Sequence, residues 1–335
     1  MSSAPISNAP AAGIGLPRGQ QRLTGLGSAV ATIALLALLA APLAVYPVFL
    51  MKILCFALFA TAFNLLLGYV GLLSFGHAAF FGGAAYFTAH AAKVWGFEPL
   101  LAVLFGAAGA AAIGLVIGFL AIRRQGIYFA MVTLALSQMV FFVFLQAPFT
   151  HGEDGIQNVP RGRLLGLFDL SDTLTMYYFV LAVFVFGFFA AWRIVHSPFG
   201  HVLQAIRENE NRAVSLGYRV ERYKLGAFVM SAFIAGLAGG TKALVFQIAT
   251  LTDVAWQMSG EVILMTLLGG LGTILGPSVG AGLVVTLQNY LAASGLPVTV
   301  VIGVIFVLCV LVFRRGLVGE AIHLLRRRAQ GLPRR

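Results

Sequence analysis

The chain has 335 residues, of which 60% are hydrophobic and only 10% are charged, and its mean hydropathy is +0.94. Soluble domains carry roughly 25% charged residues, so this composition excludes a soluble enzyme or binding module and predicts an integral membrane protein. The net charge of +11 does not indicate nucleic-acid binding, because the basic residues fall between apolar runs, where they orient a membrane protein.

Ten apolar segments, each about 20 residues long, predict an all-α bundle with about ten membrane spans. The segments run near 28–46, 48–70, 72–92, 99–122, 125–147, 174–192, 225–243, 260–275, 276–292 and 297–313. We interpret the first as an uncleaved span, because it is longer than the apolar core of a signal peptide. Residues 28–315 then form the transmembrane domain, between a disordered cytoplasmic tail at 1–27 and a basic cytoplasmic tail at 316–335.

The basic residues are distributed unevenly between the two sides of this bundle. Of the 22 Lys and Arg residues, the side opposite the N-terminus receives only Lys52, Lys93, Arg161, Arg163 and Lys242. Cytoplasmic loops collect Lys and Arg. The bias therefore predicts that both termini are cytoplasmic.

Three polar residues lie in or beside a glycine-rich stretch of the second and third predicted spans. Asn64 and Ser74 could contact a polar solute, or they could tie helices together by hydrogen bonds. His77 could be a pore ligand, or a helix-end group that bonds freed backbone. We place all three on the candidate substrate path, with the structural alternatives open.

The polar stretch 193–224 predicts a short amphipathic helix on the cytoplasmic side. Ser197 and Pro198 suit a helix start, and apolar residues recur after them at helical spacing. The candidate coupling residues are Phe199, Val202, Leu203, Ile206, Arg207 and Glu208. We expect the apolar face to enter a groove on a soluble partner, whereas the alternative is a solvated connecting helix.

Glycine and proline are concentrated between residues 269 and 277, which is too much for a regular helix. Broken helices in a membrane occur where they are buried in protein or line a wet cavity. The run therefore predicts a break that belongs to the pore, with Gly269, Gly270 and Gly272 as candidate residues. Plain tight packing through Gly276 and Gly280 is the alternative.

The chain has no recognisable energy source of its own. The Walker A pattern G-x-x-x-x-G-K-[ST] is missing from the sequence, so a partner would have to bind ATP. An ion-coupled carrier usually holds Asp, Glu or His deep in the bilayer, and such residues are few here. We predict no catalytic residues and no metal ligands, because no cluster of titratable side chains falls at one membrane depth. A secondary carrier and a channel remain alternatives.

Four stretches resemble the permeases of branched-chain amino acid ABC importers, specifically the M-type subunit. They are 64–80, 150–155, 197–217 and 268–277, and the likeness extends over about 50–315. The third stretch is similar to the cytoplasmic coupling segment of the family. One departure is His151, where the family commonly has consecutive glycines.

The resemblance implies an assembly in the bacterial inner membrane. It would contain a second related permease, two ATP-binding subunits and an extracytoplasmic solute-binding protein, with lipid around the spans and no nucleic acid. This chain would bind no cofactor and catalyse no reaction, since ATP is used by the partner subunits. Branched-chain amino acids are the expected substrate, and urea, amides, other amino acids or organic acids are the alternatives within the family.

Overall fold

The computed structural model describes residues 36–292 except 44, 165 and 167, and the short stretches 300–301, 303–304, 307 and 316–320. It divides into a small unit, Met1–Ala44, and a large unit, Val45–Arg335. In the small unit, residues 36–40 are helical and a 3-10 turn follows at Ala41–Leu43. The predicted tail at 1–27, residues 321–335 of the basic tail and most of the last predicted span lie outside the described residues.

The described part of the large unit is built mainly from helices. They are α1 (Pro47–Asn64), α2 (His77–Lys93), α3 (Pro99–Ala121), α4 (Ile127–Gln146), α5 (Thr173–Val195), α6 (Pro198–Glu208), α7 (Glu210–Ser215), α8 (Val220–Phe246), α9 (Trp256–Gly269) and α10 (Gly276–Ala292). A π-helical turn, Leu65–Val70, extends α1. The helical content confirms the predicted all-α class.

Five of these helices are long and apolar enough to cross a membrane: α1 with its π-helical extension, α3, α4, α5 and α8. Each coincides, within a few residues at either end, with a predicted span. The segments predicted at 72–92, 260–275 and 276–292 form α2, α9 and α10, which have 17, 14 and 17 residues. A multi-pass membrane fold is therefore established, while the number of ten spans stays a prediction.

Local sequence signals explain where several helices begin. Pro47 and Pro99 stand in the first turns of α1 and α3, where a missing N–H costs nothing. At α5, the carboxylate of Asp172 accepts a hydrogen bond from the Thr175 backbone N–H over 3.0 Å. That bond lowers the pKa of the Asp172 carboxyl below its ordinary value, because it stabilises the charged form.

Helices α1 and α8 lie at the centre of the large unit. In the most apolar 18-residue stretch of each, 89% and 78% of the stretch is buried inside the protein. Helix α8 packs against α2 and α3 through small residues. A Cβ on Gly239 would lie 1.9 Å from the Phe81 carbonyl oxygen, and one on Gly236 would lie 2.7 Å from the Ala110 Cβ. In contrast, α4 exposes large apolar side chains such as Met139 and Phe142, as a lipid-facing helix does.

Two very short antiparallel ribbons join the loops on one side of the bundle. Ile156–Gln157 (β1) pairs with Ile248–Ala249 (β4), and Arg163–Leu164 (β2) pairs with Phe168–Asp169 (β3). The first ribbon links the loop after α4 to the loop after α8. These ribbons are too short to be expected from sequence periodicity.

Candidate functional site

The predicted break in the helical structure is present between α9 and α10. Residues 270–275, called the break from here on, contain no regular helix. Gly270 and Gly272 have φ angles of 117° and 72°, which L side chains rarely adopt. The chain therefore leaves the helix at the point where glycine permits it.

Asn64, at the end of α1, holds the break in place. Its side-chain Nδ2 donates to the Thr273 carbonyl oxygen at 2.9 Å, and the Gly272 backbone N–H donates to its Oδ1 at 3.1 Å. The side chain can serve both groups because an amide is donor and acceptor at once. Asn64 is only 2% exposed. The structure thus brings two of the candidate pore residues, Asn64 and Gly272, into direct contact.

Gly68 lies in the π-helical turn, directly beside this contact. A Cβ on Gly68 would lie 2.2 Å from the Asn64 Oδ1 and 2.9 Å from the Gly272 backbone nitrogen. No larger residue fits without displacing one of them. The Gly68 carbonyl oxygen accepts a hydrogen bond from the guanidinium of Arg207, so the predicted coupling helix, α6, is tied to the same cluster.

The apolar face of α6 packs against the chain itself. Leu203 and Ile206 are 1% and 3% exposed, and Ile206 forms a small core with Ala213 and Val220. The Phe199 ring stacks on Tyr223 with 5.4 Å between centroids. The sequence predicts that this face enters a groove on a partner, and here the structure corrects the prediction: the face is already covered by α8 and the connection before it.

The opposite face of α6 and the end of α7 are exposed instead. Ala205 and Glu208 are exposed on α6, and Val214 and Leu216 are 57% and 70% exposed at the end of α7. Ser197 and Asn209 cap the two helices by accepting backbone N–H groups. The predicted helix is therefore present with its predicted start, and its docking role stays a prediction.

Ser74 and His77 have structural partners. The Ser74 hydroxyl accepts the Gly76 backbone N–H at 3.1 Å. His77 Nε2 lies 2.9 Å from the Ser231 Oγ, which donates to the Ala62 carbonyl oxygen at 2.6 Å. Because the Ser231 proton is used in that bond, Nε2 of His77 is the donor. These contacts join α2, α8 and α1, and neither Ser74 nor His77 is hydrogen-bonded to the break.

A family model described as the branched-chain amino acid transport system / permease component matches residues 45–313. The chain belongs to this family. The permease is 30% identical over 233 residues to the high-affinity branched-chain amino acid transport system permease protein LivM of Escherichia coli K12, and to LivM of Salmonella typhimurium LT2. The alignment covers 63% of the chain and 55% of each relative, so the chain spans about half the length of these relatives. No solved structure matches it.

The stretch at 150–155, which carries part of the resemblance, forms two 3-10 turns in the permease. His151 joins them with a φ angle of 59°, in the left-handed region that favours glycine. The Thr150 hydroxyl donates to the Ala147 carbonyl oxygen at 2.6 Å and is buried. His151 therefore adopts a conformation that a glycine would adopt more easily.

Sequence reasoning missed two ion pairs of the permease. The buried Lys224 ammonium lies 2.7 Å from the Glu210 carboxylate and links α8 to α7. The Lys242 ammonium lies 2.6 Å from Oδ1 of Asp253, which is 2% exposed. Charges of opposite sign near helix ends were visible in the sequence, but their pairing depends on tertiary packing. Within the described part of the chain, no group of three His, Cys, Asp or Glu side chains could hold a metal ion.

Proposed function

We propose that this chain is the membrane-spanning permease subunit of an ATP-driven importer that moves branched-chain amino acids across the bacterial inner membrane. The observation that carries the proposal is a hydrogen-bonded path in a member of this permease family. The path runs from α6 through Arg207 to Gly68, and through Asn64 to the break. It connects α6, which we assign to the cytoplasmic side, to an irregular segment inside the bundle.

The partners follow from the ABC class of the importer. Two ATP-binding subunits would dock on the cytoplasmic segment, a second related permease would complete the pore, and an extracytoplasmic binding protein would deliver the substrate. Both termini would then be cytoplasmic and the chain would cross the membrane about ten times. The chain itself would hold no cofactor and perform no covalent chemistry, because ATP is hydrolysed by its partners.

The proposed mechanism depends on how α6 is attached to the rest of the chain. Because Leu203 and Ile206 are buried against the chain, a push on α6 moves the start of α8 with it instead of sliding past it. Arg207 transmits the same displacement to the π-helical turn, and Asn64 transmits it to the break. The bundle would switch between inward-open and outward-open states, with weak and transient substrate binding in the pore.

The proposal is tested by purifying the tagged permease from native membranes with its partners and reconstituting the complex in liposomes. We expect two ATP-binding subunits and a second permease to co-purify, and leucine uptake to require ATP and the binding protein. Uptake that persists without ATP and stops when the ion gradient is collapsed would refute the proposal in favour of an ion-coupled carrier. Uptake of urea or an amide, but of no amino acid, would refute the substrate only.

A matched pair of substitutions tests the docking surface. Ala205→Asp adds a charge to the exposed face of α6, so we expect loss of the ATP-binding subunits from an otherwise folded permease. Ile206→Asp adds the same charge inside the small core of α6 and α8, so we expect loss of permease stability as well. If Ala205→Asp retains its partners and its uptake, the exposed face of α6 is not the docking surface.

A further inference from the structure

Two opposite charges lie where α1, α9 and α10 meet, and in the part of the chain that the structure describes neither belongs to an ion pair. Lys52 near the start of α1 and Glu261 near the start of α9 are both half-buried. Among the residues that the structure describes, the ion pairs are Lys224–Glu210 and Lys242–Asp253. Lys52 and Glu261 therefore lie at the same end of the three helices, with no ion pair between them.

The Lys242–Asp253 ion pair, in contrast, is closed by several hydrogen bonds. Both carboxylate oxygens of Asp253 accept hydrogen bonds from the Lys242 ammonium, at 2.6 Å on Oδ1 and 2.5 Å on Oδ2, and Oδ2 also accepts the Thr250 hydroxyl at 3.2 Å. Glu261 receives one hydrogen bond, from the Gln288 side-chain amide at 3.3 Å, and none from Lys52. Ionisable groups inside a membrane bundle are costly and are usually paired or functional, so an open pair requires an explanation.

Packing of the three helices brings Lys52, Glu261 and Gln288 to one end of the bundle. A Cβ on Gly282 of α10 would lie 3.7 Å from Ile53, the residue after Lys52, and a Cβ on Gly280 would lie 1.9 Å from the Met265 carbonyl oxygen of α9. The same three helices meet the break at their other end through Asn64. The open pair and the break therefore lie at opposite ends of one helix triplet.

We propose that Lys52, Glu261 and Gln288 form a binding site for the zwitterionic head group of an α-amino acid. The Lys52 ammonium binds the carboxylate of the substrate, the Glu261 carboxylate binds its α-ammonium, and Gln288 orients Glu261. This inference rests on the proposed function, and it adds which part of the substrate is recognised and where. Opposite charges on neighbouring helices suit a ligand whose ammonium and carboxylate groups are attached to the same carbon.

Uptake by the reconstituted full complex tests the site, with complex assembly and basal ATP hydrolysis measured alongside. Lys52→Met and Glu261→Gln each remove one charge at nearly constant volume, so we expect leucine uptake to fall at least about tenfold, as loss of a charge-assisted hydrogen bond does. Lys52→Arg keeps the charge and should retain most uptake. The control is Lys93→Met, since Lys93 is exposed and bonds the Gln157 carbonyl oxygen elsewhere; it should transport at the wild-type rate.

The double variant Lys52→Met/Glu261→Gln separates a substrate site from a structural ion pair. A site that has lost both charges should transport no better than the weaker single variant. A pair that only stabilises the helices should recover, because neither charge is left unbalanced, and such recovery would overturn the proposal. Wild-type uptake in both single variants would overturn it as well.

One further variant keeps the test decisive if Lys52→Met does not assemble. Glu261→Asp keeps the charge but withdraws the carboxylate by one methylene, and we expect uptake to fall about threefold. A wild-type rate in that variant overturns the assignment. The proposed function fails separately: it fails if uptake by the wild-type complex does not require ATP, whereas the head-group site fails if the wild type and its variants transport leucine equally.

Discussion

Replacing Asn64 with alanine removes the two hydrogen bonds that fix the break against α1. The Thr273 carbonyl oxygen and the Gly272 N–H then lose their protein partner. Neither group belongs to a helix, so no backbone group takes the place of the amide. We expect the break to lose its defined conformation, and transport to fall because the break no longer follows the movement of α1.

The size of the effect depends on whether water reaches the freed groups. Two fully buried unpaired groups would together cost about 2–6 kcal/mol, whereas hydrogen bonds between membrane helices contribute only about 0.6 kcal/mol each on average. Gly272 and Thr273 are half-buried, so water compensates in part. We expect the free energy of unfolding to fall by about 1–3 kcal/mol.

Unfolding of the purified permease in detergent, together with uptake by the reconstituted complex, measures both effects. Asn64→Asp should be at least as damaging, since it retains an acceptor for Gly272 but places a carboxylate oxygen against the Thr273 carbonyl. Asn289→Ala is the matched control, because Asn289 is exposed on α10. If Asn64→Ala unfolds and transports like Asn289→Ala, Asn64 does not hold the break and the reasoning is refuted.

Three further tests, using five substitutions, address other contacts. Arg207→Met should leave the permease folded but reduce coupling, so that ATP hydrolysis by the complex continues while uptake falls about tenfold; equal losses of both activities would contradict the path through Gly68. Gly239→Ala should destabilise the bundle by about 1–3 kcal/mol, because the new Cβ would clash with the Phe81 carbonyl oxygen. The control is Gly260→Ala, whose Cβ would have no neighbour within 4 Å, so this variant should unfold like the wild type. Glu210→Gln should cost more stability than Lys224→Met, since the Lys224 side chain is 5% exposed and that of Glu210 is 31% exposed, so only the lysine is left buried without an opposite charge. Proteolysis of the α6–α7 segment would show the order, and the reverse order would contradict the argument.

Local features of the sequence determined the class of the protein and several of its elements. Apolar runs gave the five long helices, because a chain in lipid must satisfy its backbone hydrogen bonds within each segment. The Ser197–Pro198 start and the helical spacing after it predicted α6. The glycines from 269 onward predicted the break, because glycine alone adopts the φ angles seen at Gly270 and Gly272 without strain.

Tertiary structure decided which residues meet. In a soluble helix the apolar stripe marks the buried face, but a membrane helix is apolar all round, so α3 and α4 carry no such mark of their neighbours. The partner of Asn64 is the backbone carbonyl of Thr273 in the break, and the partner of Arg207 is the carbonyl of Gly68. The amphipathic pattern correctly predicted the helix α6, but such a pattern specifies only that one face of the helix is covered. Whether Ile206 is covered by a partner or by the chain itself was decided by how α6 folds back onto α8.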